Sequence, residues 1–331
     1  MATAVEKTVG TDARQYSTPQ SYEDAVPADI TAAGTDETWT GFMYNDSEFT
    51  AGVTFSGTTT DATHWILLTT AAGESFIDDA GAASNALKYD QSKGVGINIS
   101  AAYTNAITTT GSSYITIEKL QVKRQANGGS NYCYLEQNGT AIVFQNMLIH
   151  QEDDQLAVWV YGSTCKGINS LIIQESAASN GVRVGNGASL LNCTVVCPSD
   201  VTSTATGLIT QYSNNITRNN AVFGFSTSFS ASGWDTTNSK NNCTDDSSAP
   251  GSSNQVSKTY ANQFEATTVA SHDFRLKSGS DCEANGTRDQ TNTNDLDIIG
   301  QARSASAPDI GCWELGVAGG VELFRRRVEG Y

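Results

Sequence analysis

Phe144-Gln145-Asn146-Met147-Leu148-Ile149 is the stretch that decides the fold, because it keeps returning. Ile117-Glu118-Lys119-Leu120-Gln121-Val122 precedes it. Ile168-Asn169-Ser170-Leu171-Ile172-Ile173, Leu191-Asn192-Cys193-Thr194-Val195-Val196 and a weaker Arg218-Asn219-Asn220-Ala221-Val222-Phe223 follow. Successive copies start 27, 24, 23 and 27 residues apart. A second column keeps the same beat: Leu135, Val160, Val184 and Thr210, spaced by 25, 24 and 26 residues, each leading into a turn-rich segment such as Gln137-Asn138-Gly139 or Gly185-Asn186-Gly187. Two short strands per period, joined by Gly, Asn and Ser turns, mark a β-solenoid, in which each repeat buries its apolar face only against its neighbours. The period predicts an all-β fold, a single-stranded right-handed parallel β-helix with ~23–27 residues per rung. Gln145, Asn169, Asn192 and Asn219 align in one column, where stacked amides are expected to bond from rung to rung.

Working outward, residues 1–15 are polar and aperiodic and read as an N-terminal arm. Thr18-Pro19 then starts a short helix, about 19–26, stopped by Pro27, with Thr as N-cap and Pro at the first helical position. A parallel β-helix exposes an unpaired end, and this helix is expected to cap it. Strand-like runs at Trp39–Tyr44, Val53–Phe55, Trp65–Thr70, Gly94–Ile99 and Ala106–Thr110 lead into the regular rungs, about 94–225, within a β-helix domain spanning 16–314. Residues 226–256, rich in Ser, Thr, Asn, Asp and Gly, read as a lateral loop or irregular rungs.

The 331 residues carry only 16% charged side chains and 5 prolines, with a net charge of −16, which argues against a nucleic-acid partner because phosphate contacts need basic stripes. No run of apolar residues is long enough to span a membrane, and Met1–Lys7 lacks a basic stretch followed by an apolar one, so neither a membrane segment nor a secretory signal is expected. The seven cysteines form no C-x-x-C pair and read as reduced apolar fillers, with a Cys282–Cys312 disulfide as the alternative.

Asp273-Phe274-Arg275-Leu276-Lys277-Ser278-Gly279-Ser280, Asp297-Ile298-Ile299-Gly300-Gln301-Ala302-Arg303 and Pro308-Asp309-Ile310-Gly311-Cys312-Trp313-Glu314 resemble the closing segment of bacterial and phage proteins of the pectate-lyase-like β-helix superfamily. The resemblance covers 273–314 and implies architecture rather than chemistry. Here Asp281-Cys282 and Cys312 depart from the usual Pro-Ala and Ala. Arg14-Gln15-Tyr16-Ser17-Thr18, Tyr44-Asn45-Asp46 and Thr60-Asp61-Ala62-Thr63-His64 are similar, more loosely, to segments of uncharacterised tailed-phage virion proteins.

Enzymes of that superfamily need paired carboxylates and a nearby cation on one outer face. The carboxylate pairs are Asp153-Asp154, read first as a solvated turn, and Asp245-Asp246. His150 follows the Met147–Ile149 strand and is expected to face solvent near Asp153, with no third carboxylate or cation expected on neighbouring rungs. Asn292-Thr293-Asn294-Asp295-Leu296-Asp297 spaces oxygens as a calcium loop would but lacks the Gly and distant Glu of that motif, so no metal and no cofactor are expected.

The leading expectation is therefore a non-enzymatic virion protein of a tailed phage, a capsid decoration, cement or head-spike protein. It would be assembled in the host cytoplasm, homotrimeric, and docked on the major capsid protein or another virion protein through its termini. Leu323, Phe324, Arg325, Arg326 and Arg327, in a tail of residues 315–331, are the candidate docking residues. The alternatives are a polysaccharide lyase or glycosidase of the tailspike kind using Asp153, Asp154 and His150, or a β-helix that binds a host-surface glycan through Trp159 and Tyr161.

Overall fold

The computed structural model describes residues 2–78, 86–102, 104–125, 132–137, 139–288 and 296–316. The chain is all-β, a single right-handed parallel β-helix with one N-terminal α-helix. Three parallel sheets form its walls. The first has eight strands, running from Thr3–Val9 to Ile216–Arg218. The second has seven, from Gly96–Ile99 to Cys243–Thr244. The third has seven, from Val53–Ser56 to Thr227–Phe229.

Each rung holds three strands, not the two that the periodicity predicts. The repeated six-residue pattern is itself two strands with a corner between them: Val143–Gln145 lies in the first sheet and Leu148–Gln151 in the second. Asn146 makes that corner with φ +52°, and Lys119, Asn169, Asn192, Asn219 and Asn241 do the same at φ +63°, +47°, +53°, +55° and +54°. Asn tolerates this left-handed region better than most side chains, so the column is Asn-rich for a backbone reason.

Gln145 is not in that column; its register partner is Ile168. Leu135 likewise pairs with Trp159, whereas Val160, Val184 and Thr210 share one register. Aligning the earliest copies one residue out of register leaves the period intact but turns side chains to the other face. The Asn amides also bond differently from expectation. Asn219 reaches the neighbouring rung, donating to Asn192 Oδ1 at 2.9 Å, and Gln145, one position off, donates to Glu118 Oε2 of the rung before it at 2.6 Å.

The core is built of in-register ladders. Ile97, Val122, Ile149, Ile172, Val195 and Val222 stack along the second sheet, and Ile107, Tyr134, Val158, Val182, Leu208 and Phe229 along the third, all fully buried. Each such side chain contributes about 1.5–3 kcal/mol of burial free energy. Gly167 continues the Phe144 column because a Cβ there would lie 2.3 Å from the Phe144 ring.

Thr3–Val9 is a strand of the solenoid rather than part of an arm. Thr3–Val9 pairs in parallel with Glu37–Met43 across seven residues, forming the edge of the first sheet. Its polar, aperiodic sequence is that of an edge strand with one solvated face. The helix Pro19–Glu23 carries the expected Thr18 cap. It covers the end of the solenoid: Gln20 Oε1 and Glu23 Oε1 accept from the Thr54 and Ser56 amides at 2.8 and 2.9 Å, satisfying the edge strand of the third sheet. At the far end the coils persist through Cys243–Thr244 and single bridges such as Lys240 with Ser252.

The closing segment folds back along the corner between the first and second sheets. Asn146 Nδ2 donates to the carbonyls of Asp297 (2.8 Å) and Ile298 (3.2 Å), Asn169 Nδ2 to that of Leu296 (2.7 Å), and Asn219 Nδ2 to that of Thr287 (2.7 Å). The motif residues tie this segment to itself. Asp297 accepts from the amides of Ile299, Gln301 and Glu314, Asp309 from those of Ala284 and Leu315, and Arg303 donates to the Gly311 and Asp309 carbonyls. The seven cysteines are all free and buried, so Cys282 and Cys312 form no disulfide.

Candidate functional sites on two outer faces

The strands of the second sheet are buried on both sides. Leu171-Ile172-Ile173 buries Ile172 inward, while Leu171 and Ile173 point out under a second apolar cluster with Phe264, Phe274, Leu276, Ile298 and Ile310. Toward the N-terminal rungs this cover gives way to polar groups. Lys123 and His150 occupy matching positions on consecutive rungs, and Glu152 and Glu175 follow their strands one rung apart. A cation and carboxylates therefore do accompany His150 on neighbouring rungs, contrary to the sequence reading. The 27-residue offset between the first two copies already pairs Lys123 with His150, whereas Glu175 falls opposite Glu152 only when the next copy is shifted by one residue.

Lys123 Nζ lies 2.6 Å from Glu152 Oε1 and faces the Tyr89 ring, 5.9 Å from its centre. His150 Nε2 pairs with Glu175 Oε1 at 2.8 Å and lies 3.9 Å from Glu152 Oε1. The His272 ring stands edge-on to His150 at 5.7 Å and stacks on Phe274 at 5.2 Å. Burial, with His150 and Lys88 nearby, pushes His272 down to about 4, so its imidazole is neutral. Half-burial pulls Glu175 upward, but the neighbouring His150, His272 and Lys123 outweigh it and hold its carboxyl below the usual range. His150 is not solvent-facing, being 5% exposed.

Asp153 is not in a solvated turn. Its carboxylate pairs with the Arg124 guanidinium, both side chains being fully buried, and also accepts from Gln151 and the Gln155 amide. Asp154 accepts from Ser176 on the next rung. Asp245 accepts from the Gly224 amide (2.8 Å) and Ser228 Oγ (2.9 Å), and Asp246 from the Ser228 and Ser248 amides (2.8 and 3.0 Å). These acids are spent on holding turns. A local i, i+2 reading of sequence misses Asp153 because its partner sits a whole rung away. Leu323–Arg327 and residues 292–295 of the candidate calcium loop lie outside the described residues.

The third sheet is open on its outer side. Val158–Tyr161 alternates, with Val158 and Val160 inward and both Trp159 and Tyr161 outward. Tyr132, Trp159, Tyr161 and Tyr212 form a continuous edge-to-face chain, with centroids 5.8, 6.4 and 6.0 Å apart, and the Arg183 guanidinium stacks on Trp159 at 4.8 Å. Gly185 is Tyr161's register partner; a Cβ there would lie 2.9 Å from Tyr161 Cδ2, so the glycine gives that ring its place. Tyr212, 63% exposed, is held at φ +69°, a conformation that costs a bulky side chain energy and that clusters at functional positions.

No family model matches this chain, and no curated protein matches it. Among solved structures it is similar to the crystal structure of pectate lyase Pel9A, with 12% identity over 96% of this chain and 97% of that one and a TM-score of 0.44. The parallel β-helix itself rests on the strand register described above.

Proposed function

We propose that the protein binds a carbohydrate along the outer face of the third sheet, using Tyr132, Trp159, Tyr161 and Tyr212 as a stacking platform and Arg183 as the polar contact. The observation that carries this is the four-ring chain with Tyr212 mostly in solvent. Folding does not need these rings outward, since Val158 and Val160 already fill the core side of the same strand. Aromatic faces suit the apolar C–H faces of sugar rings, while Tyr hydroxyls and Arg satisfy their hydroxyl or carboxylate groups. Rungs spaced about 4.8 Å apart offer a repeating polymer a repeating surface.

This reading is of recognition without bond cleavage. Of the residues the lyase or glycosidase alternative would use, Asp153 and Asp154 are engaged in holding turns and His150 is 5% exposed. On a phage particle such a solenoid would act as a host-surface adhesin rather than a cement. That joins the glycan reading to the virion expectation, which co-sedimentation with phage heads tests separately.

The direct test is affinity electrophoresis of the full chain through gels containing neutral and acidic bacterial polysaccharides. Retardation by at least one polymer, reduced tenfold or more in Trp159→Ala and Tyr161→Ala at unchanged melting temperature, is the expected result. Retardation equal in wild type and both variants, or none in any polymer, overturns the reading. Shortening of the polymer during the run would favour the enzymatic alternative instead.

A further inference from the structure

The three histidines are treated differently by the fold. His64 has both ring nitrogens occupied, Nδ1 by Asp61 at 2.7 Å and Nε2 by Asp36 at 2.8 Å. His150, as deeply buried, has no partner at Nδ1, and its Nε2 meets only the carboxylates of Glu175 and Glu152. Buried polar groups without partners are rare and point to a ligand or a functional role. Around His150 the reason is visible: Nε2 faces Glu175 and Glu152, and one ligand atom from each of the three residues lies within 4.8 Å of the others.

We propose that His150, Glu152 and Glu175 form a binding site for a first-row divalent transition cation, zinc foremost, that pins two consecutive rungs together. One imidazole nitrogen and two carboxylates are a borderline donor set suited to zinc. At metal–ligand distances of ~2.1 Å, tetrahedral donors stand ~3.4 Å apart, and the Nε2–carboxylate separations of 2.8 and 3.9 Å bracket that edge. Calcium would need six or more oxygens, and three protein donors with one nitrogen do not supply them. The carboxylates keep 27% and 15% of their side-chain surface exposed, leaving an entry for the ion from solvent.

Lys123 is the built-in competitor. Its Nζ at 2.6 Å supplies positive charge to Glu152 in the cation-free protein. An arriving dication displaces it toward Tyr89, whose ring face already lies 5.9 Å away. Lys123 thus distinguishes a metal site from a structural ion cluster, because its removal should help the metal while harming the cluster.

Isothermal titration of zinc chloride into the full-length chain tests this. One saturable equivalent is expected, with affinity at least tenfold lower in His150→Ala and Glu175→Gln and several-fold higher in Lys123→Met. Zinc should raise the melting temperature of the wild type but not of His150→Ala, because a ligand that binds only the folded state stabilises it. Should His150→Ala fail to fold, as judged by circular dichroism, Glu152→Gln and Lys123→Met carry the test, since Glu152 is partly exposed. The proposal is overturned if the wild type takes up no zinc saturably, if His150→Ala binds with unchanged affinity and stoichiometry, or if Lys123→Met weakens uptake.

Discussion

The outer faces of the second and third sheets come from the same coil of chain and meet opposite fates. On the second, Leu148, Leu171, Ile173, Val196, Ala221 and Phe223 point away from the lumen yet are fully buried, because Phe264, Phe274, Leu276, Cys282, Ile298, Ile310 and Cys312 of the returning segment lie over them. On the third, large aromatics point outward and stay in contact with solvent. A strand apolar at every position demands a cover, and this chain supplies its own. A strand that alternates needs none, so its outward aromatics are surplus to folding. Surplus aromatic surface is where recognition is found.

The largest effects should come from groups fully buried in the cover or inside the rungs. Phe274→Ala, in the cover, should cost about 3–5 kcal/mol by opening a cavity, and Asp153→Ala about 3–5 kcal/mol by stranding the buried Arg124 charge. Tyr212→Ala on the open face should fall within about 0.5 kcal/mol. Urea unfolding of the three variants measures this directly. Equal costs on the two faces would erase the contrast.

The latch between cover and solenoid comes next. Asn146→Ala places a non-polar residue at φ +52° and leaves the Asp297 and Ile298 carbonyls without their amide donor. The combined cost should be about 2 kcal/mol. Hydrogen exchange should show the amides of 296–314 opening before those of the rungs. Simultaneous opening would mean that the cover and the solenoid form one cooperative unit.

Much of this was legible in the sequence. The period, two of the three strand columns and the Thr18-capped helix follow from short-range patterns, and the closing motif is read from spaced Asp, Gly and Arg. Register was harder. Glu118-Lys119 and Gln145-Asn146 each offer two polar residues where the later copies offer a different pair, so the eye aligns Gln145 with Asn169. Only the positive φ at Lys119, Asn146 and Asn169 identifies the corner, and no single residue type spells it. The candidate sites depended on that register. Glu175 comes beside Glu152 and His150 only when the third copy is shifted by one residue, and Arg124 meets Asp153 through a turn that no strand alignment covers. Thr3–Val9 was missed because an edge strand with one partner has little apolar signal of its own.

A pH-dependent effect lies just inside the open face. Glu136 points into the lumen, fully buried, and burial pushes its carboxyl up to about 8. Since the folded value lies above that of the unfolded chain, the unfolded state ionises first. The stability Glu136 allows is therefore complete below about pH 4.5 and is lost as pH rises toward about 8, at about 1.4 kcal/mol per pH unit. Glu136→Gln should remove that slope. Melting curves of both proteins at about pH 6 and pH 7 isolate it as the difference between them. Parallel losses in the two proteins would mean that the carboxyl already ionises at lower pH.

The finest test of the open face is Gly185→Ala. The new methyl would stand 2.9 Å from Tyr161 Cδ2 and 3.0 Å from the Gln211 carbonyl oxygen. The carbonyl belongs to the next rung's backbone and cannot yield, so the Tyr161 ring must move. That ring links Trp159, 6.4 Å away, to Tyr212, 6.0 Å away, and its displacement breaks the aromatic chain in the middle. The stability cost should stay under about 1 kcal/mol, because the ring's outer side is open. A shift in tryptophan fluorescence, together with a several-fold loss in retardation by whichever polysaccharide the wild type binds, is the expected pair of results. Fluorescence that shifts while retardation does not would mean that the rings work separately, with Trp159 and Arg183 sufficient for the sugar and Tyr212 outside its footprint.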